Sequence, residues 1–280
     1  MQSKDGYNWF IKQYPSLLQD VPNNYYAVPI NGSLIDGRTY IDIMRSSGLP
    51  VDLLPQDDLK AKFTGLETII KVEEKKIDNV AAKNYFTDLL SDHCEFDTEI
   101  NLIDRISRQA LLAKYDFVID CTWGQSQFID LDIFYEGCIY FCYKAHDVDF
   151  AITIMDGNFF SIYPYSKDEY SLTCVEHTPI FQSTDIKIAR HNLEIAKQDQ
   201  FLIAQKRGLF EQVVLKYYPS FLDNFEYIRS EFSMKTKIVS ECAYRGTTVI
   251  NNENLITVLS GKIDTIYVAE KEILGTLKIE

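Results

Sequence analysis

Three short stretches carry residue types that could do chemistry together. The first is Ser260-Gly261-Lys262-Ile263-Asp264-Thr265, where an apolar run over 254–259 meets a Gly-Lys turn and then a helix-like stretch. Gly261 permits a close backbone turn, and residues Lys262 to Thr265 would present the first free amides of the following helix. Such a helix start favours negative charge, whether a phosphate or the charged edge of an electron-rich ring. The plainer alternative is a strand–turn–helix junction with no ligand. The second stretch is Ala243-Tyr244-Arg245-Gly246. An arginine there can clamp a carboxylate through two parallel N–H donors, or simply form a surface ion pair. The third is Tyr115 to Gly124 (YDFVIDCTWG), a strand-like run closing on Thr122-Trp123-Gly124. Cofactors approach the backbone at the carboxyl ends of strands in α/β sheets. A core strand followed by a turn is the alternative.

The elements that must position these stretches can be read from periodicity and caps. Residues 6–18 place Tyr7, Phe10, Ile11 and Tyr14 on one helical face that Pro15 ends. NYYAVPI reads as a strand. Asp36 caps a helix with Tyr40, Ile43 and Met44 as its stripe and Gly48 as its stop. LPQDDLKAKFTG reads as a polar loop and LETIIKVEEKKI as one strand. Asp78 then caps a helix whose Val80, Tyr85, Phe86 and Leu89 suit a buried face. CEFDTEINLIDRI alternates like a strand, and the unbroken Phe117-Val118-Ile119 run suits a strand covered on both faces. GCIYFCYKA, DFAITIMDG, NFFSIYPYS and YSLTCVEH follow at hairpin-like spacing, an antiparallel sheet rich in Tyr and Phe. Thr184-Asp185 opens a long helical region to about Tyr218 with a break expected at Gly208, and YIRSEFSMKTKI is a last long strand.

Composition narrows the function classes. The 280 residues suffice for one large domain or two modest ones, and the apolar share of 46% is ordinary for a globular chain. A net charge of −13 with no basic stripe argues against nucleic acid as a partner. No apolar run is long enough for a membrane span, and the first residues have no signal-peptide core. The six cysteines (94, 121, 138, 142, 174, 242) lack C-x-x-C spacing and read as reduced thiols, hence a cytoplasmic setting. The four histidines lie far apart, so no metal site is expected.

Together the three stretches resemble the D-amino-acid-oxidase-like family of FAD-dependent oxidoreductases. The likeness lies in their order: the acidic segment KVEEKKIDNVAAKNYFTDLL…FDTEI, then YDFVIDCTWG, an antiparallel sheet, CAYRG and GKIDTIYVAE. It spans about residues 66 to 280. The resemblance implies a mixed α/β fold, in which an FAD-binding-type α/β domain is interleaved with an antiparallel substrate-binding sheet. It implies residues 1–65 and 130–235 on the substrate side, and 66–129 and 236–280 on the FAD side. Ile100, Thr122, Gly124 and the stretch Gly261, Lys262, Ile263, Asp264 and Thr265 are then expected beside FAD. Arg245 would anchor an anionic substrate group, with Tyr163 and Tyr165 lining the pocket. The implied reaction is hydride transfer to the flavin from a small amino or hydroxy acid or an amine. No residue stands out as an acid–base catalyst.

One departure is plain. The family begins with a strand and G-x-G-x-x-G, which holds the FAD pyrophosphate, and no such motif occurs among the 12 glycines. The expectation is of a chain without its N-terminal βαβ unit, binding FAD weakly by itself, with a companion chain as one source of that unit. Trp123 also interrupts the family's Cys-Thr-Gly. Two other readings stay open: a non-catalytic relative, and a carbohydrate- or peptide-binding module using the tyrosine-rich sheet.

Overall fold

In chain order the first elements are α1 (Gln2–Gln13), β1 (Leu18–Asp20), β2 (Asn24–Pro29), α2 (Gly37–Ser46), β3 (Asp52–Leu53), β4 (Leu66–Lys71) and β5 (Lys75–Ile77). Then come α3 (Asn79–Leu90), α4 (Arg105–Lys114), β6 (Val118–Asp120), β7 (Ile133–Ala145), β8 (Ala151–Ile154), β9 (Phe160–Pro164), β10 (Glu169–Cys174) and β11 (Pro179–Ser183). The last are α5 (Ile186–Gln198), α6 (Gln200–Tyr217), α7 (Phe221–Asn224), β12 (Phe225–Ile238), β13 (Thr247–Asn252), β14 (Leu255–Ser260) and α8 (Ile266–Leu277). The computed structural model describes residues 2–21, 23–53, 61–240 and 246–279. Aspartates start five of the helices. The carboxylates of Asp36, Asp78, Asp104, Asp185 and Asp199 each accept a first-turn amide, from Thr39, Val80 and Ala81, Ser107, Lys187 and Ile188, and Leu202.

Nine strands form the large sheet, with β7 as its spine. β12 pairs with the whole of β7, from Phe225 opposite Ala145 to Ile238 opposite Ile133, with a bulge between Tyr227 and Arg229. The other edge of β7 is shared by β10 and β11, and the order continues through β9, β8, β2, β4 and β3. The β2–β8 pair is parallel. One face of this sheet packs on α6, where Phe141, Phe159 and Phe160 meet Phe210 and Tyr217. Fully burying side chains of this size is worth roughly 1.5–3 kcal/mol each, so this layer anchors the fold. The other face carries Tyr26, Tyr140, Cys142, Tyr163 and Arg229. The alternation of side chains across each strand separates these two sets. A second sheet, β13–β14–β6, joins β14 and β6 in parallel, with Leu255 opposite Val118 and Thr257 opposite Asp120.

Several expectations change. LETIIKVEEKKI breaks after β4, which pairs with β2 in the large sheet, leaving Val72, Glu73 and Glu74 between two strands. CEFDTEINLIDRI forms no strand; turns, one with Asp97 at positive φ, lead to the Asp104 cap and α4. Val80 is 71% exposed, and Tyr85 and Leu89 are also exposed, so the apolar stripe of α3 is only partly covered, by Tyr14 against Tyr85 and Phe86. Phe117 and Ile119 are likewise exposed, because β6 pairs only with β14 among the described residues. The long helical region breaks at Asp199, which caps α6, and Gly208 sits inside that helix. Ile43 is exposed while Tyr40 is buried; Phe63, within the expected polar loop, joins the core.

Candidate active site

β14 ends at Ser260, and a single 3-10 turn (Ile263–Thr265) leads into α8. A hydroxyl network fixes this turn. Thr247 Oγ1 donates to the Thr265 carbonyl at 2.8 Å and lies 2.8 Å from Ser260 Oγ. Ser260 Oγ and Thr265 Oγ1 both reach the Lys262 carbonyl at 3.0 Å. Thr265 is 2% exposed, so its side chain serves the turn from within. The amides of Lys262, Ile263 and Asp264 meet no acceptor among the described residues. They lie at the start of the 3-10 turn, which runs into α8, a 12-residue helix whose own N-cap is Thr265. Gly6 of α1 packs directly on the Asp264 carbonyl, closing the turn from the other side.

These elements wall a cleft of about 520 Å3 whose sides include Tyr7, Phe10, Glu74, Gly261, Lys262 and Asp264. The Asp264 Oδ1 atom is buried without a partner among the described residues. Glu74 links the cleft to the tyrosine face of the large sheet. Its carboxylate accepts from Asn24 Nδ2 at 2.8 Å, from the Tyr26 hydroxyl, and from the Tyr163 hydroxyl at 3.4 Å. Burial first, and the Glu74 charge second, push the phenols of Tyr26, Tyr40 and Tyr163 well above the ordinary tyrosine value. Glu74 has no cation within ion-pair distance among the described residues, since Lys75 pairs with Asp20.

The structure brings some of the expected residues together and keeps others apart. Gly261, Lys262, Ile263 and Asp264 line the cleft, and Tyr163 reaches it through Glu74. Tyr165 is 40% exposed, with the Arg229 guanidinium 5.7 Å from its ring. Tyr140, whose phenol hydrogen-bonds Tyr165, is pushed up to about 12, chiefly by burial. Thr122 and Gly124 stand at the carboxyl end of β6, on the same edge as Gly261 because β6 and β14 are parallel, but they do not line the cleft. Gly124 has φ +74° and its carbonyl accepts from the Tyr135 hydroxyl at 2.7 Å. The Trp123 side chain beside it holds a buried Nε1 with no acceptor among the described residues. Ile100 is exposed in the loop before α4, away from the cleft. Arg245 lies outside the described residues. Glu74 is the residue the sequence reading missed, and its only signal was the charged Glu73-Glu74-Lys75-Lys76 run inside an apolar strand pattern.

The cleft suits the flavin end of FAD. The turn before α8 leaves three amides without an acceptor among the described residues, on residues that line a cleft with Tyr7, Phe10 and Ile11 and room for a small-molecule group. No protein-family model matches the chain. The FAD-dependent monooxygenase FPY4 of Fusarium mangiferae is 33% identical over 286 residues, covering 100% of this chain and 76% of that protein. A solved fructosyl peptide oxidase superposes with a TM-score of 0.68 at 11% identity, over 99% of this chain and 75% of the other. Glycine oxidase from Geobacillus kaustophilus gives a TM-score of 0.62 at 10% identity, over 100% and 78%. These two structures share the fold expected from the sequence, that of the D-amino-acid-oxidase-like oxidoreductases. The extent and identity of the Fusarium match place this chain in its family, that of the FAD-dependent oxidoreductases.

Proposed function

We propose that this chain is the substrate-side and flavin-side portion of an FAD-dependent oxidoreductase acting on a small amino or hydroxy acid or an amine. The observation that carries the reading is the β14–turn–α8 junction, whose residues Gly261 to Asp264 line the same cleft as Glu74 and Tyr7. Bound FAD supplies a two-electron acceptor for a C–H next to nitrogen or oxygen. The chain's own residues bind and orient. The amides of Lys262, Ile263 and Asp264 favour charge gathering on the ring edge, and Thr265 holds their geometry. Thr122, Gly124 and Ile100 belong to the wall that the remainder of the cofactor follows. Tyr163 and Tyr165 lie on the pocket face, and Arg245 anchors an anionic group by the family resemblance. The free thiols of Cys138, Cys142 and Cys174 are consistent with a cytoplasmic setting.

The pyrophosphate end of FAD needs a segment beyond this sequence. β6 offers a strand edge that pairs with no described residue and carries exposed Ile119 next to exposed Phe117, and Val80, Leu89, Phe96 and Ile106 are exposed on α3, on α4 and between them. We assign this surface to a strand–GxGxxG–helix unit, which would add its strand parallel to β6, whether from the same polypeptide or a companion chain. Purification of the chain alone and with that unit, followed by absorbance in the flavin region, tests the proposal. A colourless chain that turns yellow with the unit is expected. A chain that stays colourless in both states favours the non-catalytic relative and ends the enzyme reading.

A further inference from the structure

We infer that Glu74 is a recognition carboxylate for a cationic, donor-rich group, a protonated amine, on a ligand seated in the cleft. The inference deepens the proposed function and rests on the same cleft. Three neutral donors, Asn24, Tyr26 and Tyr163, converge on Glu74 and hold its two oxygens in one orientation. A carboxylate has about four lone-pair sites, so this set leaves room for one more donor. Glu74 is half-buried, and no described basic group lies within ion-pair distance of it, although Lys75 and Lys262 line the same cleft. Lys75, next in sequence, turns to Asp20. The Glu74 carboxylate is therefore oriented by half-buried phenols and an amide, and makes no direct ion pair on the wall of the cleft.

Two further atoms point the same way. Asp264 Oδ1, on a residue that lines the cleft, and Asn24 Oδ1, beside Glu74, are buried acceptors with no donor among the described residues. An ammonium brings three donors and the missing positive charge, whereas a hydroxyl brings one donor and no charge. Phe10, Ile11 and Leu18 line the apolar part of the same cleft and suit a hydrocarbon group carried by the amine. Among the amino acids, hydroxy acids and amines that the fold admits, the geometry selects ligands with a protonated nitrogen.

The test titrates the full chain with benzylammonium at neutral pH and, in parallel, with the neutral isostere benzyl alcohol, following saturation transfer by NMR. Wild type is expected to bind the amine in preference to the alcohol. Glu74→Gln is expected to bind the amine about tenfold more weakly, the loss of one charge-assisted contact. Equal binding of alcohol and amine by wild type, no amine binding, or a folded Glu74→Gln with unchanged amine affinity would each overturn the inference. Should Glu74→Gln fail to melt cooperatively, the wild-type preference between the two ligands decides. None of these readouts needs flavin, so a failure here and a failure of the FAD reading are told apart.

Discussion

Gly6 and Asp264, far apart in sequence, are in backbone contact: the α-carbon of one faces the carbonyl oxygen of the other with no room for a Cβ between them. This contact joins α1 to the turn that opens α8, and it sets the width of the cleft. Gly6→Ala gains up to about 1 kcal/mol of helix propensity but forces apart two backbones, an overpacking cost of about 1–3 kcal/mol. Because backbone cannot give as a side chain can, the second effect wins. A lower urea midpoint with an unchanged slope is expected, along with weaker flavin retention in the reconstituted protein.

The hydroxyl network beneath the same turn supports a second prediction. Thr265→Val keeps the shape but removes the donor to the Lys262 carbonyl in a site that is 2% exposed. A loss of about 1–3 kcal/mol is expected by chemical denaturation, and Thr265→Ser is expected to recover most of it. Equal stability of the Val and Ser variants would remove the network from the account.

The tyrosines around Glu74 make stability depend on alkaline pH. In the unfolded chain they ionise from about pH 10, whereas in the folded chain Tyr26, Tyr40 and Tyr163 hold their protons to higher pH. Above about pH 10 the unfolded state therefore binds fewer protons, so stability is fully present below that pH and falls as pH rises further. Phenolate absorbance should rise in two stages, exposed tyrosines first and this group only with unfolding. Glu74→Gln removes the second cause of the shift and should bring part of the late stage earlier.

The exposed apolar side chains of α3 and α4 give a fourth prediction. Val80→Lys and Ile106→Lys lie at positions 71% and 78% exposed, where a surface change costs within about 0.5 kcal/mol. The stability of the isolated chain should be unchanged, while assembly with a strand–GxGxxG–helix unit, followed by size-exclusion chromatography, should be lost. Assembly that survives both substitutions would move the docking surface elsewhere.

Local signals were the legible part of this fold. Asp36 and Asp78 cap the helices they were expected to cap, because side-chain caps depend only on a few neighbouring residues. The tyrosine-rich strands β7 to β10 and the β14–turn–α8 junction also follow the pattern of their residues. What was not legible depends on partners. Residues 117–119 read as a doubly covered strand because their pattern records the environment they are suited to, and the described residues supply only one neighbour. Glu74 was hidden because its significance comes from Asn24, Tyr26 and Tyr163, which are distant in sequence and meet it only when β2 and β9 enter one sheet. Residues 94–106 misled because alternation with many acidic positions also suits a capped, turn-rich lead into a helix.

The one parallel pairing in the large sheet sets a timetable for biosynthesis. β2 lies between β4 and β8, and Asn24 finds its partner on β8 only at Ala151. The Tyr26 side of the cleft is therefore among the first parts to leave the ribosome and among the last to be enclosed. Until β8 emerges, β2, β4 and the short β3 form a small sheet whose β2 edge stays open, the kind of non-local closure that slows folding and invites mispairing. Synonymous-codon pauses or chaperone contacts would have most effect in the interval between these two strands.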